Sequence, residues 1–126
     1  MVVLMVVGTR TPAGRTVEPV RGDAAGRPSC CSLYHRAVEL VGKRWTGAIL
    51  LVLMDGPLRF SQMKHLVPDL SDRLLSERLK ELENEGIVTR HEEAGACAKV
   101  QYRLTPKGRA LEPAVRALKT WANTYL

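Results

Sequence analysis

The chain has 126 residues, a formal net charge of +6 and a pI near 9.6. This length fits one compact domain with a short tail and is too small for two separate cores. The three cysteines exclude a disulfide-rich secreted mini-protein, and the basic balance is compatible with a polyanionic partner without requiring one.

The first 29 residues are predicted to form a flexible tail. The opening MVVLMVVG has six consecutive apolar residues after its Met and no basic segment, which is too short for a secretory signal or a membrane span. Residues 9 to 29 are rich in Gly, Pro, Arg and Ala and have no periodicity. We therefore expect a cytoplasmic protein without a membrane partner, whose folded domain covers residues 30 to 126.

Two helices are predicted at the start of this domain. Ser32 is the expected N-cap of the first, which ends near Gly42 and carries apolar residues at helical spacing: Leu33, Ala37, Leu40 and Val41. Residues 45 to 54, WTGAILLVLM, are apolar nearly all round, which predicts a central buried helix. Within it, Trp45 is expected to pack in the core or at a dimer contact rather than to bind a ligand.

A short helix, a turn and a longer helix are predicted next. Residues 58 to 60 form a short strand or an extended link, and Ser61 is the expected cap of a brief helix that ends before Pro68. The apolar residues expected to face inward from this helix are Met63, Leu66 and Val67. Residues 68 to 70 then form a tight turn, so the order is that of a helix-turn-helix.

The longer helix is amphipathic. Ser71 is its expected N-cap, and Gly86 is placed to end it in a left-handed conformation. Its apolar stripe consists of Leu75, Leu79 and Leu82. At 100° per residue, the opposite face carries Arg73, Ser76, Glu77, Lys80 and Asn84. One side is therefore expected to face the core, and the other is free to meet a partner.

A hairpin and a final helix complete the pattern. Residues 87 to 90 and 99 to 104 predict two strands, with Val100, Tyr102 and Leu104 on one face of the second. Thr105 is the expected cap of the last helix, and Pro113 should bend it or delay its regular start. A helix-turn-helix followed by such a hairpin, or wing, indicates DNA binding.

Three stretches in this order form a specific combination: CSLYHRAVELVGKRWTGAILLVLMDGPLRFSQM, LSDRLLSERLKELENEGIVTR and VQYRLTPKGRAL. Together they resemble the HxlR-type winged helix-turn-helix transcriptional regulators of bacteria, which are MarR-like. The resemblance covers residues 31 to 122. It implies an α+β, mostly α fold: a winged helix-turn-helix with a two-stranded wing and N- and C-terminal dimerisation helices.

The resemblance also implies partners. They are a double-stranded, pseudo-palindromic DNA operator and a second copy of the chain, with no cofactor. The dimer is expected to form through the first and last helices, whose interface residues are Leu33, Ala37, Leu111, Val115, Leu118, Trp121, Ala122 and Tyr125. The spacing of the apolar residues in the last helix is typical of such a contact.

The predicted DNA-binding residues are Ser71, Arg73, Ser76, Glu77, Lys80, Arg90 and Lys99. Arg73 is the expected base reader, because a guanidinium can donate two hydrogen bonds to guanine O6 and N7. The wing tip, EEAGACAK, departs from the family, in which a proline-rich tip followed by Arg is common, and this leaves Arg90 and Lys99 as the wing's phosphate or minor-groove ligands. The alternative is that the charged face of the helix is simply solvated.

Cys31 is the candidate for effector sensing. Some members of the family sense electrophiles or oxidants through a cysteine near the start of the first helix, and the dipole of that helix favours a thiolate at this position. An inert thiol packed at the dimer contact is an equally compatible interpretation. Cys30 and Cys97 are further thiols that could resolve an oxidised Cys31.

Other chemistries have no support in the sequence. The three histidines lie on separate elements and the adjacent cysteines are not a CxxC knuckle, so no metal site is predicted. No catalytic motif is found, and we expect no enzyme activity. The sequence thus predicts a sequence-specific DNA-binding transcriptional regulator, expected to be a repressor with an oxidant or small-molecule effector. The alternative is a winged-helix protein-interaction module without specific DNA binding.

Overall fold

The computed structural model describes residues 26 to 95 and 99 to 126. Residues 1 to 25 of the predicted tail and Cys97 in the wing lie outside the described residues. The elements in chain order are α1 (Ser32–Val41), α2 (Thr46–Leu53), β1 (Leu58–Arg59), α3 (Phe60–Leu66), α4 (Asp72–Asn84), β2 (Val88–Glu93), β3 (Lys99–Leu104), α5 (Pro106–Arg109) and α6 (Glu112–Tyr125). None of the helices in the described ranges is long and apolar enough to cross a membrane.

One hydrophobic core lies between α2, α3, α4 and the sheet. Its buried residues are Ile49, Leu50, Leu53, Met54, Met63, Val67, Leu70, Leu75, Leu79, Leu82, Ile87, Val88 and Leu104. The predicted buried helix is confirmed, since α2 buries Ile49, Leu50 and Leu53 in the core and none of its residues is exposed. Trp45 packs against this core but precedes α2, with a left-handed φ of 76°.

The amphipathic helix α4 is confirmed with both of its ends. The backbone N–H of Leu74 donates to Ser71 Oγ at 3.1 Å, so Ser71 is the N-cap. At the other end Gly86 has a φ of 75°, a conformation that a residue with a Cβ adopts only with strain. The Ile87 N–H then donates to the Leu82 carbonyl at 2.9 Å, as in a Schellman cap.

The sheet is larger than the predicted two-stranded wing. In the described residues it has three antiparallel strands in the order β1-β3-β2. The short β1 pairs with β3 through Leu58 opposite Tyr102 and Arg59 opposite Gln101. Residues 58 to 60 are predicted to form a short strand or an extended link, and the strand is confirmed at Leu58–Arg59, where it attaches the wing to the start of α3.

Two predictions about α3 are wrong. The helix begins at Phe60, so Arg59 is its N-cap and Ser61 lies inside the first turn. The backbone N–H of Arg59 donates to Gln62 Oε1 at 2.8 Å, which is the bond from the third helical residue back to the cap that is found in a capping box. The helix therefore starts two residues earlier than it would with a cap at Ser61. Leu66 was expected to face inward, but it is exposed because it is the last residue of a seven-residue helix whose inward side is filled by Met63 and Val67.

The first helix also differs in its start. Ser32 is its first residue rather than its cap, so α1 begins one residue earlier than predicted. The helix buries none of its residues. Leu40 and Val41 at its end pack partly against the core, whereas Leu33 and Ala37 are exposed and available for contacts outside the chain.

The C-terminal segment is divided at the predicted place. Thr105 Oγ1 accepts from the Gly108 N–H at 3.0 Å, so Thr105 is a helix cap, but the helix that it caps is the short α5 and not the last helix. Helix α6 begins at Glu112 with Pro113 in its first turn, so the proline delays the regular start of the last helix.

Candidate nucleic-acid interface

The outward flank of α4 is polar and exposed. Arg73, Ser76, Glu77 and Lys80 are all exposed, and the side chain of Arg73 is 88% accessible. Directly behind them Leu75, Leu79 and Leu82 are at most 2% exposed. The flank is thus held by a fully buried stripe, as the sequence predicts, and presents hydrogen-bonding groups on a rigid support. We call these four exposed residues the α4 flank.

Polar contacts that the sequence does not reveal hold α4 in place. Arg78, whose side chain is 11% exposed, donates from Nε to the carbonyl of Arg44 at 2.9 Å. Glu81 accepts from Lys43 at 2.9 Å and lies 3.5 Å from Arg78. These bonds join the loop between α1 and α2 to the back of α4. No local sequence pattern predicts them, because the partners lie more than 30 residues apart.

The turn between α3 and α4 is held in a similar way. Leu70 is completely buried, and its carbonyl accepts a hydrogen bond from Lys64 Nζ. The same ammonium pairs with Asp72 at 3.3 Å, at the first residue of α4. Lys64 is therefore engaged in fixing the angle between the two helices.

An ion pair lies on the α4 flank itself. Arg73 Nε donates to Glu77 Oε2 at 3.1 Å, one helical turn away. Lys80, one turn further along, makes no hydrogen bond or ion pair with any described residue. The flank thus carries one neutralised arginine and one unpaired cation.

The two predicted phosphate ligands of the wing lie beside acidic residues. Arg90 Nη1 donates to Glu92 Oε2 at 3.0 Å. The pKa of the Arg90 guanidinium is raised above its ordinary value, mainly by its interaction with Tyr102 and to a smaller extent by the charge of Glu92. Lys99 is exposed and lies opposite Glu93 in the β2-β3 register. The structure therefore brings the acidic wing residues next to both predicted phosphate ligands.

The predicted interface residues fall into two groups. Five are exposed or lie on exposed helix faces: Leu33, Ala37, Leu118, Trp121 and Tyr125. Leu111 and Val115 are instead partly buried against the core of the same chain, and Ala122 is partly buried. The rings of Trp121 and Tyr125 lie 5.7 Å apart and form one apolar patch with Leu118 on α6.

Cys31 and Cys30 are both exposed, and Cys31 directly precedes α1. Across the described ranges no cluster of three metal-ligating side chains is found.

Comparison with known proteins identifies the family. Residues 40 to 126 match the family model described as HxlR-like helix-turn-helix. The chain belongs to the HxlR-like helix-turn-helix family. It is accordingly a transcriptional regulator of the helix-turn-helix type, which confirms the family that the sequence resembles.

Relatives of this HxlR-like protein include regulators that have been studied structurally. The HTH-type transcriptional regulator YodB of Bacillus subtilis is 43% identical over 95 residues, which cover 75% of this chain and 85% of YodB. The reduced form of YodB superposes with a TM-score of 0.70 at 42% identity, covering 77% of this chain and 95% of that chain. YodB structures also include diamide-treated and quinone-bound forms.

A second neighbour of the HxlR-like protein is the redox regulator HypR. Its oxidised form superposes with a TM-score of 0.72 at 33% identity, covering 75% of this chain and 97% of HypR. These matches establish the winged-helix fold.

Proposed function

We propose that the protein is a cytoplasmic homodimer that binds a specific double-stranded DNA operator through the α4 flank and represses transcription by occupying a promoter. The observation that carries this proposal is the exposed polar flank on a helix whose opposite side is completely buried, followed by the β2-β3 hairpin. A helix of this kind fits the major groove, and a wing fits the adjacent backbone.

The residues have different roles in this proposal. Arg73 reads a base edge, and Ser71, Ser76 and Glu77 assist it at the N-terminal half of α4. Lys80 binds phosphate, because it is the unpaired cation of the flank among the described residues. Arg90 and Lys99 are secondary phosphate ligands, since each lies beside a carboxylate that competes with DNA.

Salt-dependent binding tests the proposal. A site is first selected from a random-sequence duplex pool, and binding is then measured by fluorescence anisotropy at several salt concentrations. Affinity should fall steeply with salt, because counterions are released from each neutralised phosphate. Binding that ignores salt, or that is equal for the selected and a scrambled duplex, would instead favour a protein-interaction module.

Two variants of α4 separate base reading from phosphate binding. Arg73→Ala should lower affinity for the selected site by about 1–3 kcal/mol and relax base preference at one position. Lys80→Ala, on the same flank, should weaken all sequences alike and reduce the salt slope by about one. If Arg73→Ala leaves both affinity and preference unchanged, Arg73 is not a reader.

The proposed dimer uses the exposed apolar side of α1 and the α6 patch. Leu33 and Ala37 on α1 are exposed, and Leu118, Trp121 and Tyr125 on α6 are all at least half exposed. A dimer places two copies of α4 on one face of the duplex, at half-sites roughly 34–36 Å apart.

We further propose that Cys31 responds to oxidants or electrophiles. Its exposure supports this, and so does the similarity to YodB, of which diamide-treated and quinone-bound structures exist. The test compares operator binding by wild type, Cys31→Ser and the adjacent control Cys30→Ser before and after diamide. Loss of the response in Cys31→Ser alone is expected, and an identical response in all three proteins would contradict a role for Cys31.

A further inference from the structure

The Arg73–Glu77 ion pair has a specific atomic arrangement. The bond to Glu77 Oε2 comes from Arg73 Nε, not from the end of the guanidinium. Within residues 26 to 95 and 99 to 126, the two Nη nitrogens of Arg73 donate no hydrogen bond. The side of the planar group is therefore occupied, and its end is open to solvent.

We propose that Glu77 is a positioning residue for base recognition, which orients Arg73 so that its two Nη nitrogens meet guanine O6 and N7. This inference rests on the proposed function. A guanidinium can approach guanine through Nε and one Nη, or end-on through both Nη nitrogens. With Nε held by Glu77, only the end-on approach is available, and the rigid plane of the group fixes its direction.

The charge of Glu77 favours this role over a contact with phosphate. A carboxylate on a surface that faces DNA repels the phosphates and lowers affinity for every sequence. Because Glu77 also neutralises Arg73, the pair contributes little to attraction of the backbone. Lys80 is then the residue of the flank that attracts the DNA backbone. A neutral, oriented pair is suited to reading a base edge, where geometry rather than charge discriminates.

The competing interpretation is an ordinary solvated pair at i,i+4 spacing, which contributes little. Two substitutions separate the interpretations, because both remove the same charge. Glu77→Gln keeps an amide oxygen that can accept from Arg73 Nε, whereas Glu77→Ala removes the acceptor. Glu83→Ala is the matched control, since it removes one carboxylate from the last turn of the same helix.

The measured quantity is the ratio of affinities for the selected duplex and a scrambled duplex. All three variants should bind the scrambled duplex more tightly, because each loses a negative charge. In Glu77→Ala the ratio should fall at least about threefold, and Glu77→Gln should retain more of it. Glu83→Ala should leave the ratio unchanged. Circular dichroism checks that each variant is folded.

A modified base locates the contact. Each guanine of the selected half-site is replaced in turn by 7-deazaguanine, which lacks the N7 acceptor. At one position the wild type should lose on the order of tenfold in affinity. Arg73→Ala should lose nothing further there, and Glu77→Ala should lose less than the wild type.

Failure of this inference is distinct from failure of the proposed function. A wild type that does not discriminate between the two duplexes overturns the proposed function and the inference with it. A wild type that discriminates, with Glu77→Ala keeping the same ratio, overturns the inference alone. Equal losses of the ratio in Glu77→Ala and Glu77→Gln also overturn it, because charge rather than hydrogen bonding would then be responsible.

Discussion

A buried glycine in α5 provides a quantitative test of the packing between α5 and the wing. A Cβ built on Gly108 lies 2.2 Å from the carbonyl oxygen of Ile87 and 3.1 Å from its Cγ2. This carbonyl oxygen belongs to the backbone at the start of the wing, and it also accepts a hydrogen bond from the Thr105 N–H at 3.0 Å. It therefore cannot rotate away as a side chain would. Gly108→Ala must therefore displace α5 from the sheet.

The expected cost follows from two opposing effects. Overpacking of a well-packed site costs typically 1–3 kcal/mol, and a backbone obstacle points to about 3 kcal/mol. Alanine is favoured over glycine inside a helix by roughly 0.5–1 kcal/mol, which offsets part of this cost. The net loss should be about 2 kcal/mol, equivalent to a fall in Tm of roughly 8–16 °C for a domain of this size.

The control is the same substitution in α2. A Cβ on Gly47 has its nearest neighbour at 4.0 Å, the carbonyl oxygen of Val41, so there is no clash. Gly47→Ala should therefore stabilise the protein by about 0.5–1 kcal/mol. Urea denaturation followed by circular dichroism, at one protein concentration, measures both variants. A Gly108→Ala protein as stable as wild type would refute the packing described for α5.

Three further predictions concern a cap, an acidic group and the α6 patch. Ser71→Ala removes the acceptor of the Leu74 N–H and should lower the free energy of unfolding by about 1 kcal/mol, measured with urea; no change would show that the cap is dispensable. The pKa of Glu112 is lowered by hydrogen bonds from Arg116 and then Arg109, so wild type should lose stability as pH falls below the ordinary value of 4.5 through this depressed pKa. Glu112→Gln should flatten that part of the stability profile, and an unchanged slope would contradict the assignment. Leu118→Glu places a charge in the exposed α6 patch and should weaken self-association in sedimentation equilibrium, whereas an undisturbed dimer would place the interface elsewhere.

The helix α4 is predicted correctly from local patterns. The α4 helix has a strong cap, a regular leucine stripe and a glycine stop, and each of these signals involves residues within about one or two turns of one another. The Thr105 cap and the delay at Pro113 are equally local. For such features the sequence contains the whole physical cause.

The features that the sequence leaves open or predicts wrongly at β1 and α3 have causes elsewhere in the chain. The sequence leaves residues 58 to 60 open between a strand and a link, because Tyr102, with which Leu58 pairs, lies 44 residues away and no local pattern indicates it. The start of α3 depends on Arg59 lying in this strand, which brings its N–H to Gln62 and makes Ser61 unnecessary as a cap. The pairing of β1 with β3 therefore determines both the strand and the start of α3, and the residues next to each of them do not reveal this pairing.

The same distinction between local patterns and contacts in the folded chain applies to the candidate site. The sequence predicts which residues of α4 face outward, because helical periodicity is sufficient for that. It does not predict that Arg73 Nε is paired while Lys80 is not, nor that Arg78 and Lys64 are engaged in holding the helix. Equivalent basic residues in the sequence therefore have different availability for DNA, and only the structure distinguishes them.

The availability of basic residues for DNA matters most in the wing. Before Arg90 can contact a phosphate it must leave Glu92, and Lys99 faces Glu93 across the hairpin. The net charge of these four side chains is zero, so together they add little to the attraction of DNA at long range. Lys80 on α4 has no such competitor among the described residues. Affinity and specificity should therefore both depend mainly on α4, because its flank combines a free cation with a paired guanidinium.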